Sequence, residues 1–325
     1  MPQINLVQAI NSALSSELKR DDRVVVLGQD VGKFGGVFRA TQDLFKNFGP
    51  DRVLDTPLCE SGIVGSAIGM ALYGLRPVPE IQFADFSFPA FNQIVSELSK
   101  IRYRSGNQYS CPMVIRMPTG GGVKGGIYHS TSPEAYFVHT AGLKVVTPSN
   151  PYDAKGLLIA SIRDENPVIF LEPKRIYRAV KGEVPEENYT IELGKAKLVC
   201  EGTDATILAY GASVQTSLEA TKSAEKEDGI SVDLIDLRTL LPYDIETILT
   251  SVKKTGRVVI VHESPRTCGF GAELSSTISE KALLHLQSPI VRVTGFDTPF
   301  PYTHEKHFFP NPKRIRKALR DTVNF

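Results

Sequence analysis

The sequence predicts an α/β protein of two domains, each a mainly parallel sheet flanked by helices. Short apolar runs alternate with helical patterns along the chain, and the alternation is interrupted once, near residue 190. The length of 325 residues suits two domains of ordinary size. Runs such as Val24–Gly28 are apolar throughout, which is typical of strands buried on both faces.

Strands and helices alternate regularly in the first part of the chain. Strands are predicted over residues 24–28, 76–81, 113–116, 144–146 and 168–171, and helices over 6–19, 63–73, 90–104 and 151–163. The last of these helices has Asn150 before Pro151, a typical cap-then-proline start. Residues 177–193 contain Gly182, Pro185 and paired glutamates without an apolar period, which predicts a linker.

The alternation resumes after this linker. Strands are predicted over residues 205–209, 232–236, 258–261 and 290–293, and helices over 214–225, 245–253, 272–286 and 312–323. We therefore predict one domain over residues 1–190 and a second over residues 191–325.

Composition and charge argue against several classes of partner. Lys and Arg total 37 against 36 Asp and Glu, so no strong global field favours nucleic acid or an anionic membrane. No apolar run reaches the ~18 residues of a membrane span, and the first residues lack a signal-peptide pattern. The four cysteines are scattered without a CxxC pair, which favours reduced thiols. These features predict a cytoplasmic protein.

Glu60 is the first candidate for chemistry. It precedes an apolar helix with several small residues, which would let another surface approach closely. We expect partial desolvation of its carboxyl, which would raise the pKa. The alternative is an ordinary acidic residue in a first helical turn, favoured by the helix dipole.

The second candidate is a glycine-rich loop that ends at His129. Five glycines among residues 120–126 indicate either close approach of the backbone to a ligand or a mobile gate. No GK[ST] follows, so the loop is not a P-loop. His129 is either a structural histidine or a proton donor and acceptor delivered by this loop.

Further candidates lie where predicted strands end. Gln82 ends an apolar strand, and Phe83 and Phe86 follow it as a surface for ring stacking, unless they are simply core residues. Gln29 follows the strand ending at Gly28. Ligands of open parallel sheets bind at the carboxyl ends of strands, so these positions predict a binding site.

These segments together resemble the beta subunit of the thiamine diphosphate-dependent 2-oxo acid dehydrogenases. The matching motifs lie in Leu27–Val31, Gly35–Phe38, Asp55–Pro57, Glu80–Phe83, Arg102–Arg104, Pro151–Leu158 and Asp236–Thr239. The segments Tyr128–Ala135 and Gly295–Pro301 are similar to the branched-chain type. Two residues depart from the family pattern: Gln29 replaces a usual Glu, and Phe86 replaces a frequent Tyr.

The resemblance implies an oxidoreductase with a shared site. Its first domain would bind the pyrimidine half of thiamine diphosphate, and its second would be similar to the transketolase C-terminal domain. An alpha subunit would hold the diphosphate and Mg²⁺ through a Gly-Asp-Gly motif, which this sequence lacks. The implied assembly is an alpha2-beta2 heterotetramer that docks on the subunit-binding domain of a lipoyl acyltransferase.

The resemblance also assigns roles to residues. Glu60 and His129 would be catalytic; Gln29, Leu58, Glu60, Gln82 and Phe86 would contact the cofactor; and Gln82, Phe83, Phe86 and His129 would contact the substrate. Ser161, Asp164 and Asn166 would bind a monovalent cation such as K⁺, although a polar turn explains them equally. A pyruvate or acetoin dehydrogenase beta subunit and a non-catalytic scaffold of the same fold stay open as alternatives.

Overall fold

The fold is described from a computed structural model that covers all 325 residues. By internal packing the chain divides into two compact units, residues 1–119 with 136–193 and residues 120–135 with 194–325. Residues 120–135 therefore pack with the second unit, although they lie within the stretch predicted as the first domain. No helix is long and apolar enough to cross a membrane.

The strands of the first unit are mostly those that the apolar runs predict. They are β1 (Gln3–Asn5), β2 (Val24–Gly28), β3 (Val53–Asp55), β4 (Arg76–Glu80), β5 (Val114–Thr119), β6 (Lys144–Val146), β7 (Val168–Pro173) and β8 (Lys181–Glu183). Six of them pair in the order β6-β7-β5-β4-β2-β3, all parallel. β2, β4, β5 and β7 are buried along their whole length, which explains why their residues are mainly apolar.

The helices of the first unit are α1 (Leu6–Arg20), α2 (Leu44–Phe48), α3 (Glu60–Leu72), α4 (Ile101–Arg104) and α6 (Pro151–Arg163). α5 (Glu134–Val138) begins in the second unit and ends in the first. Asn5 caps α1 through a capping box, and Asn150 caps α6 by accepting a hydrogen bond from Asp153 N at 2.9 Å. The predicted cap at Asn150 is confirmed.

Two expectations for this unit hold only in part. The helix predicted over residues 90–104 is broken into a π-helical turn (Asn92–Glu97), a 3-10 turn (Leu98–Lys100) and α4, after a 3-10 segment, Ala84–Ala90, that contains Pro89. Residues 91–104 stay helical throughout, but the spacing of their hydrogen bonds changes along the segment. The predicted linker contains β8, an exposed strand that pairs antiparallel with β1. Because β8 forms by pairing and not by burial, it has no apolar period.

The second unit repeats the alternation. Its strands are β9 (Lys197–Cys200), β10 (Ala205–Ala209), β11 (Val232–Asp236), β12 (Thr239–Leu241), β13 (Val258–Val261) and β14 (Val291–Val293), and its helices are α7 (Ala212–Asp228), α8 (Ile245–Thr255), α9 (Phe270–Ala282), α10 (Glu305–Phe308) and α11 (Pro312–Val323). The sheet order is β14-β13-β10-β11-β9, with only β9 antiparallel. Its apolar core packs β10, β11 and β13 against α7 and α11. The predicted fold class, two mainly parallel α/β units, is confirmed.

Candidate active site

The loop after β2 is fixed at the carboxyl end of the first sheet. Asp55, the last residue of β3, accepts hydrogen bonds from Gly32 N at 2.6 Å and Lys33 N at 3.2 Å. A Cβ at Gly32 would lie 2.5 Å from Asp55 Oδ2, so this close approach requires glycine. The loop therefore presents half-buried Gln29 and exposed Asp30, whose φ is +59°.

Gln82 connects this loop to the neighbouring strand. It follows Ile81 after β4, and β4 pairs in parallel with β2. Its Nε2 donates to Asp30 Oδ2 at 3.0 Å and to the Gln29 carbonyl oxygen at 3.4 Å. Two residues predicted to share a site, Gln29 and Gln82, are thus brought together, where parallel sheets bind ligands.

A row of aromatic rings follows Gln82. Phe83 makes edge-on contacts with Phe86 at 5.6 Å and with Phe38 at 5.5 Å between ring centroids. Phe38 in turn contacts Tyr177 at 5.2 Å. Phe83 and Phe86 are half-buried, so part of each ring faces away from the core. Such rings can pack against a planar heterocycle.

Glu60 is the first residue of α3 and is half-buried. Cys59 precedes it without a side-chain cap, and the Leu58 side chain is 70% exposed. The exposed positions of α3 include Gly62, Gly65, Ser66 and Gly69, so one side of the helix lacks bulky side chains. α3 packs on β4 and on the 3-10 segment that contains Phe86, which places Glu60 and Phe86 on contacting elements.

Two buried oxygens near α3 lack a protein partner. They are Thr56 Oγ1, four residues before Glu60, and Gln93 Oε1. A Cβ at Gly65 would lie 3.9 Å from Gln93 Cγ, so the Gln93 side chain borders the glycine side of α3. Buried polar atoms usually find a partner, so these two oxygens are available to a polar group from outside the chain.

A buried ion network lies next to these strand ends. Arg116 donates to Glu80 Oε2 at 2.7 Å and to both oxygens of Glu172 at 2.7 and 3.0 Å. Tyr177 O–H donates to the same Glu172 carboxylate. Burial raises the pKa of Glu80, although the Arg116 charge opposes this. The network ties together the carboxyl ends of β4 and β7 through β5.

The loop that contains His129 packs in the second unit. Gly120 N donates to the Thr131 carbonyl oxygen at 3.0 Å, and Lys124 N donates to Glu305 Oε2 at 3.3 Å. A Cβ at Gly121 would lie 2.6 Å from Phe309 Cζ, and one at Gly125 would lie 2.6 Å from His129 Cβ. The glycines therefore serve close packing within the loop and against aromatic rings. His129 itself is half-buried.

The predicted site residues are divided between the units. Gln29, Leu58, Glu60, Gln82, Phe83 and Phe86 belong to the first unit, and His129 belongs to the second. Their roles stay predictions.

The side chains predicted to bind a monovalent cation already have protein partners. Asp164 forms an ion pair with Lys144 and accepts hydrogen bonds from Asn166, Nδ2 included at 3.0 Å. Asn166 Oδ1 accepts from Arg102 at 2.7 Å, and Ser161 Oγ donates to the Leu157 carbonyl oxygen at 2.7 Å. Burial opposes ionisation of Asp164, but the hydrogen bonds from Lys144 and Asn166 outweigh it and lower the pKa. These three side chains therefore bond to groups of the chain itself, and their role in cation binding stays a prediction.

Comparison with known proteins settles the family. Residues 2–180 match the pyrimidine-binding domain of transketolase, and residues 194–315 match the transketolase C-terminal domain. The chain belongs to the transketolase family. It is 54% identical to the 2-oxoisovalerate dehydrogenase subunit beta, mitochondrial, of Dictyostelium discoideum, over 99% of this chain and 87% of that one.

One further relative and one solved structure are also similar to this chain. The pyruvate dehydrogenase E1 component subunit beta of Staphylococcus epidermidis is 50% identical over the full length of both chains. A solved structure described as a split gene transketolase, inactive beta4 tetramer, has the same fold with a TM-score of 0.82. It is 23% identical and covers 99% of this chain and 98% of that one. The resemblance drawn from the sequence motifs is therefore confirmed.

Several residues of the site escape a search for chemical motifs. Asp55, Thr56 and Gln93 are ordinary polar residues in sequence, and only the fold turns them toward the loop after β2 or toward α3. The motif Asp55–Pro57 is a signal for the first two, since it forms part of the family resemblance. Nothing in the local sequence distinguishes Gln93.

Proposed function

We propose that this chain is the beta subunit of a branched-chain 2-oxo acid dehydrogenase. With an alpha subunit it would oxidatively decarboxylate a 2-oxo acid and transfer the acyl group to the lipoyl arm of an acyltransferase. The observation that supports this most is the cluster of polar and aromatic residues at the strand ends of a transketolase-type pyrimidine-binding unit. Full-length identity above 50% to a 2-oxoisovalerate dehydrogenase beta subunit agrees with it.

The proposed cofactor is thiamine diphosphate. When bound, its thiazolium ring supplies the electron sink that decarboxylation of a 2-oxo acid requires. The residues of the first unit fit its aminopyrimidine ring: Phe86 offers a ring surface, Leu58 an exposed apolar side chain, and Gln29 the polar loop. The partnerless oxygens of Thr56 and Gln93 agree with a site that an outside group completes. Mg²⁺ and the diphosphate are assigned to the alpha subunit.

Glu60 would control the protonation of the pyrimidine ring. A carboxyl at the start of α3 can donate a hydrogen bond to a ring nitrogen and thereby favour a basic exocyclic nitrogen on the same ring. The carboxyl would donate its proton to that ring nitrogen and take it back within the turnover, which is the role of a positioned general acid and base. The missing side-chain cap at Cys59 leaves the helix start open to such a ligand.

Gln82 and His129 would act on the substrate. The contacts of Gln82 Nε2 with Asp30 and Gln29 fix the orientation of its carboxamide, which can then position a 2-oxo acid beside Phe83. His129, on its glycine-rich loop, would donate or accept a proton at a ring nitrogen while the acyl group passes to the lipoyl arm. The lipoyl arm arrives from another protein, so this step requires a group at the entrance of the site.

The expected assembly is an alpha2-beta2 heterotetramer. The glycine-lined side of α3 and the buried oxygens of Thr56 and Gln93 support close contact with another chain. The acyltransferase would dock through its subunit-binding domain.

A pyruvate dehydrogenase beta subunit is the second candidate, because a relative with that name is 50% identical over the full length. The test is reconstitution with an alpha subunit of each type, followed by assays with 3-methyl-2-oxobutanoate and pyruvate. We expect thiamine diphosphate binding only in the reconstituted complex and faster turnover of the branched acid. Preference for pyruvate would favour the second candidate, and assembly without cofactor binding would favour a scaffold.

Glu60→Gln tests the catalytic assignment. Glutamine keeps the size but cannot supply the carboxyl proton, so decarboxylation should fall by about 10²–10⁴-fold while the tetramer still forms. Glu246→Gln, at the exposed start of α8, is the matched control and should leave activity unchanged. Wild-type exchange of the thiazolium proton in Glu60→Gln would exclude this role.

A further inference from the structure

A buried polar cluster in the second unit has no part in the proposed function. Tyr210 O–H donates to Glu134 Oε1 at 2.7 Å, and both residues are less than a tenth exposed. The Tyr210 ring stacks on the imidazole of His262 at 5.8 Å and 14°. His262 Nδ1 is hydrogen-bonded to Ser264 Oγ at 2.8 Å. Four polar side chains thus form one contiguous group inside the unit.

This group connects a loop to the centre of a sheet. Tyr210 follows β10 directly and His262 follows β13, and these two strands pair in parallel. Glu134 lies at the end of the stretch of chain, residues 120–135, that packs with the second unit and contains His129. The hydrogen bond between Tyr210 and Glu134 therefore joins the sheet of the second unit to residues 120–135.

The start of the same loop is fixed by close packing. A Cβ at Gly120 would lie 2.6 Å from Glu263 Oε2, and Gly121 leaves no room for a Cβ beside Phe300 and Phe309. The loop thus meets the second unit at its start through glycines, at Lys124 through the hydrogen bond to Glu305, and at its end through Glu134. His129 lies between these two attachments, five residues before Glu134.

We propose that Tyr210 and Glu134 are positioning residues that fix the loop containing His129 through a buried hydrogen bond between neutral side chains. The role of His129 in acyl transfer belongs to the proposed function, on which this inference rests. The attachment of the loop itself is independent of that function and can be measured without turnover.

The groups around Glu134 favour the protonated, uncharged form of its carboxyl. Burial raises the pKa of Glu134 to about 7, against the lowering effect of hydrogen bonds from Tyr210 and Ser264. The nearby Glu263 carboxylate raises it further. Burial lowers the pKa of His262 to about 4, so this imidazole offers no positive charge. Glu134 is therefore protonated below about pH 7, and ionisation as the pH rises weakens its attachment.

Trypsin cleavage after Lys124, which is exposed in the loop, measures the attachment in the full chain. Tyr210→Phe removes one hydroxyl and keeps the ring, and it should increase the cleavage rate about three- to tenfold at about pH 6. Tyr243→Phe is the matched control, because it removes another hydroxyl of the unit, which bonds Thr277 Oγ1 at 3.0 Å. Its cleavage rate should equal that of the wild type.

Glu134→Gln separates the hydrogen bond from the charge. Glutamine still accepts from Tyr210 and cannot ionise when the loop opens, so cleavage at about pH 6 should be no faster than that of the wild type. Between about pH 6 and pH 8 the wild-type cleavage rate, measured relative to a reporter peptide, should rise about tenfold. The reason is that the pKa of the Glu134 carboxyl is about 7 when buried and 4.5 when free, so a rising pH increasingly favours the exposed, ionised carboxyl. Glu134→Gln should show no such rise. Unchanged cleavage in Tyr210→Phe, or fast cleavage of Glu134→Gln at about pH 6, would overturn the proposal.

The reconstituted complex then tests the consequence for His129. Tyr210→Phe should reduce kcat for acylation of the lipoyl domain and spare decarboxylation with an artificial acceptor, because only the loop is misplaced. If His129→Ala impairs acylation but Tyr210→Phe does not, the positioning role is wrong. If neither variant affects acylation while trypsin still detects the loosened loop, the role of His129 is wrong and the attachment stands.

Discussion

Replacing Arg116 by methionine tests what keeps the strand ends of the first unit in place. The Arg116 side chain is fully buried and makes three charge-assisted hydrogen bonds to Glu80 and Glu172. Methionine fills similar space but leaves two buried carboxylates without a cation. Breaking a buried ion pair in this way costs roughly 3–5 kcal/mol, a large part of a typical free energy of unfolding of about 5–15 kcal/mol.

The penalty should depend on pH. Burial raises the pKa of Glu80 even with Arg116 present, and removal of the cation would raise it further. A group whose pKa is raised by folding stabilises the protein at low pH and loses this contribution as the pH rises through the folded pKa. The destabilisation of Arg116→Met should therefore be larger at about pH 8 than at about pH 5.

Urea unfolding of the full chain, followed by circular dichroism, measures the effect. Arg104→Met is the matched control in the same unit, because its side chain is 64% exposed and pairs with Glu97 at 3.2 Å. An exposed pair of this kind contributes at most about 1 kcal/mol. Loss of less than about 1 kcal/mol in Arg116→Met, or a loss that grows toward acidic pH, would refute the reasoning.

Other substitutions test the loops of both units. Gly28→Ala should lower the unfolding midpoint by the equivalent of about 1–3 kcal/mol. The φ of Gly28 is +152°, and a Cβ there would lie 2.6 Å from the Glu80 carbonyl oxygen. An unchanged midpoint would contradict this. Gly121→Ala should increase trypsin cleavage of its loop, since its Cβ would clash with the Phe309 ring; wild-type protection would argue against close packing. His129→Ala should reduce acylation of a lipoyl domain by about 10²-fold or more with little effect on decarboxylation, and equal loss in both assays would remove it from acyl transfer.

Much of the fold could be predicted from the sequence because burial leaves a direct signature. Strands covered on both faces, such as β2 and β10, are mainly apolar, and their predicted bounds are those observed. Helix α6 begins at Pro151 because an asparagine cap and a proline satisfy the helix start locally. The family resemblance follows from short motifs, among them Leu27–Val31 and Glu80–Phe83 at strand ends.

Pairing and packing across long sequence distances decided the rest. β8 exists because it hydrogen-bonds β1, some 176 residues away in register, and its own residues are exposed and polar. The ion network of Arg116 joins three strands, so no local pattern could indicate it. Likewise, Tyr210 and Glu134 are unremarkable in sequence, and only the fold buries them together.

The candidate site likewise depends partly on the sequence and partly on the tertiary structure. Glu60 at a helix start, Gln82 after a strand and His129 after a glycine-rich loop predict a site for chemistry, and their roles stay predictions. Their settings come from the tertiary structure: Asp30 orients Gln82, and Asp164, one of the residues predicted to bind a cation, forms an ion pair with Lys144. Sequence patterns record which groups are buried and where chains turn, whereas hydrogen-bond partners depend on which distant residues the fold brings within about 3 Å.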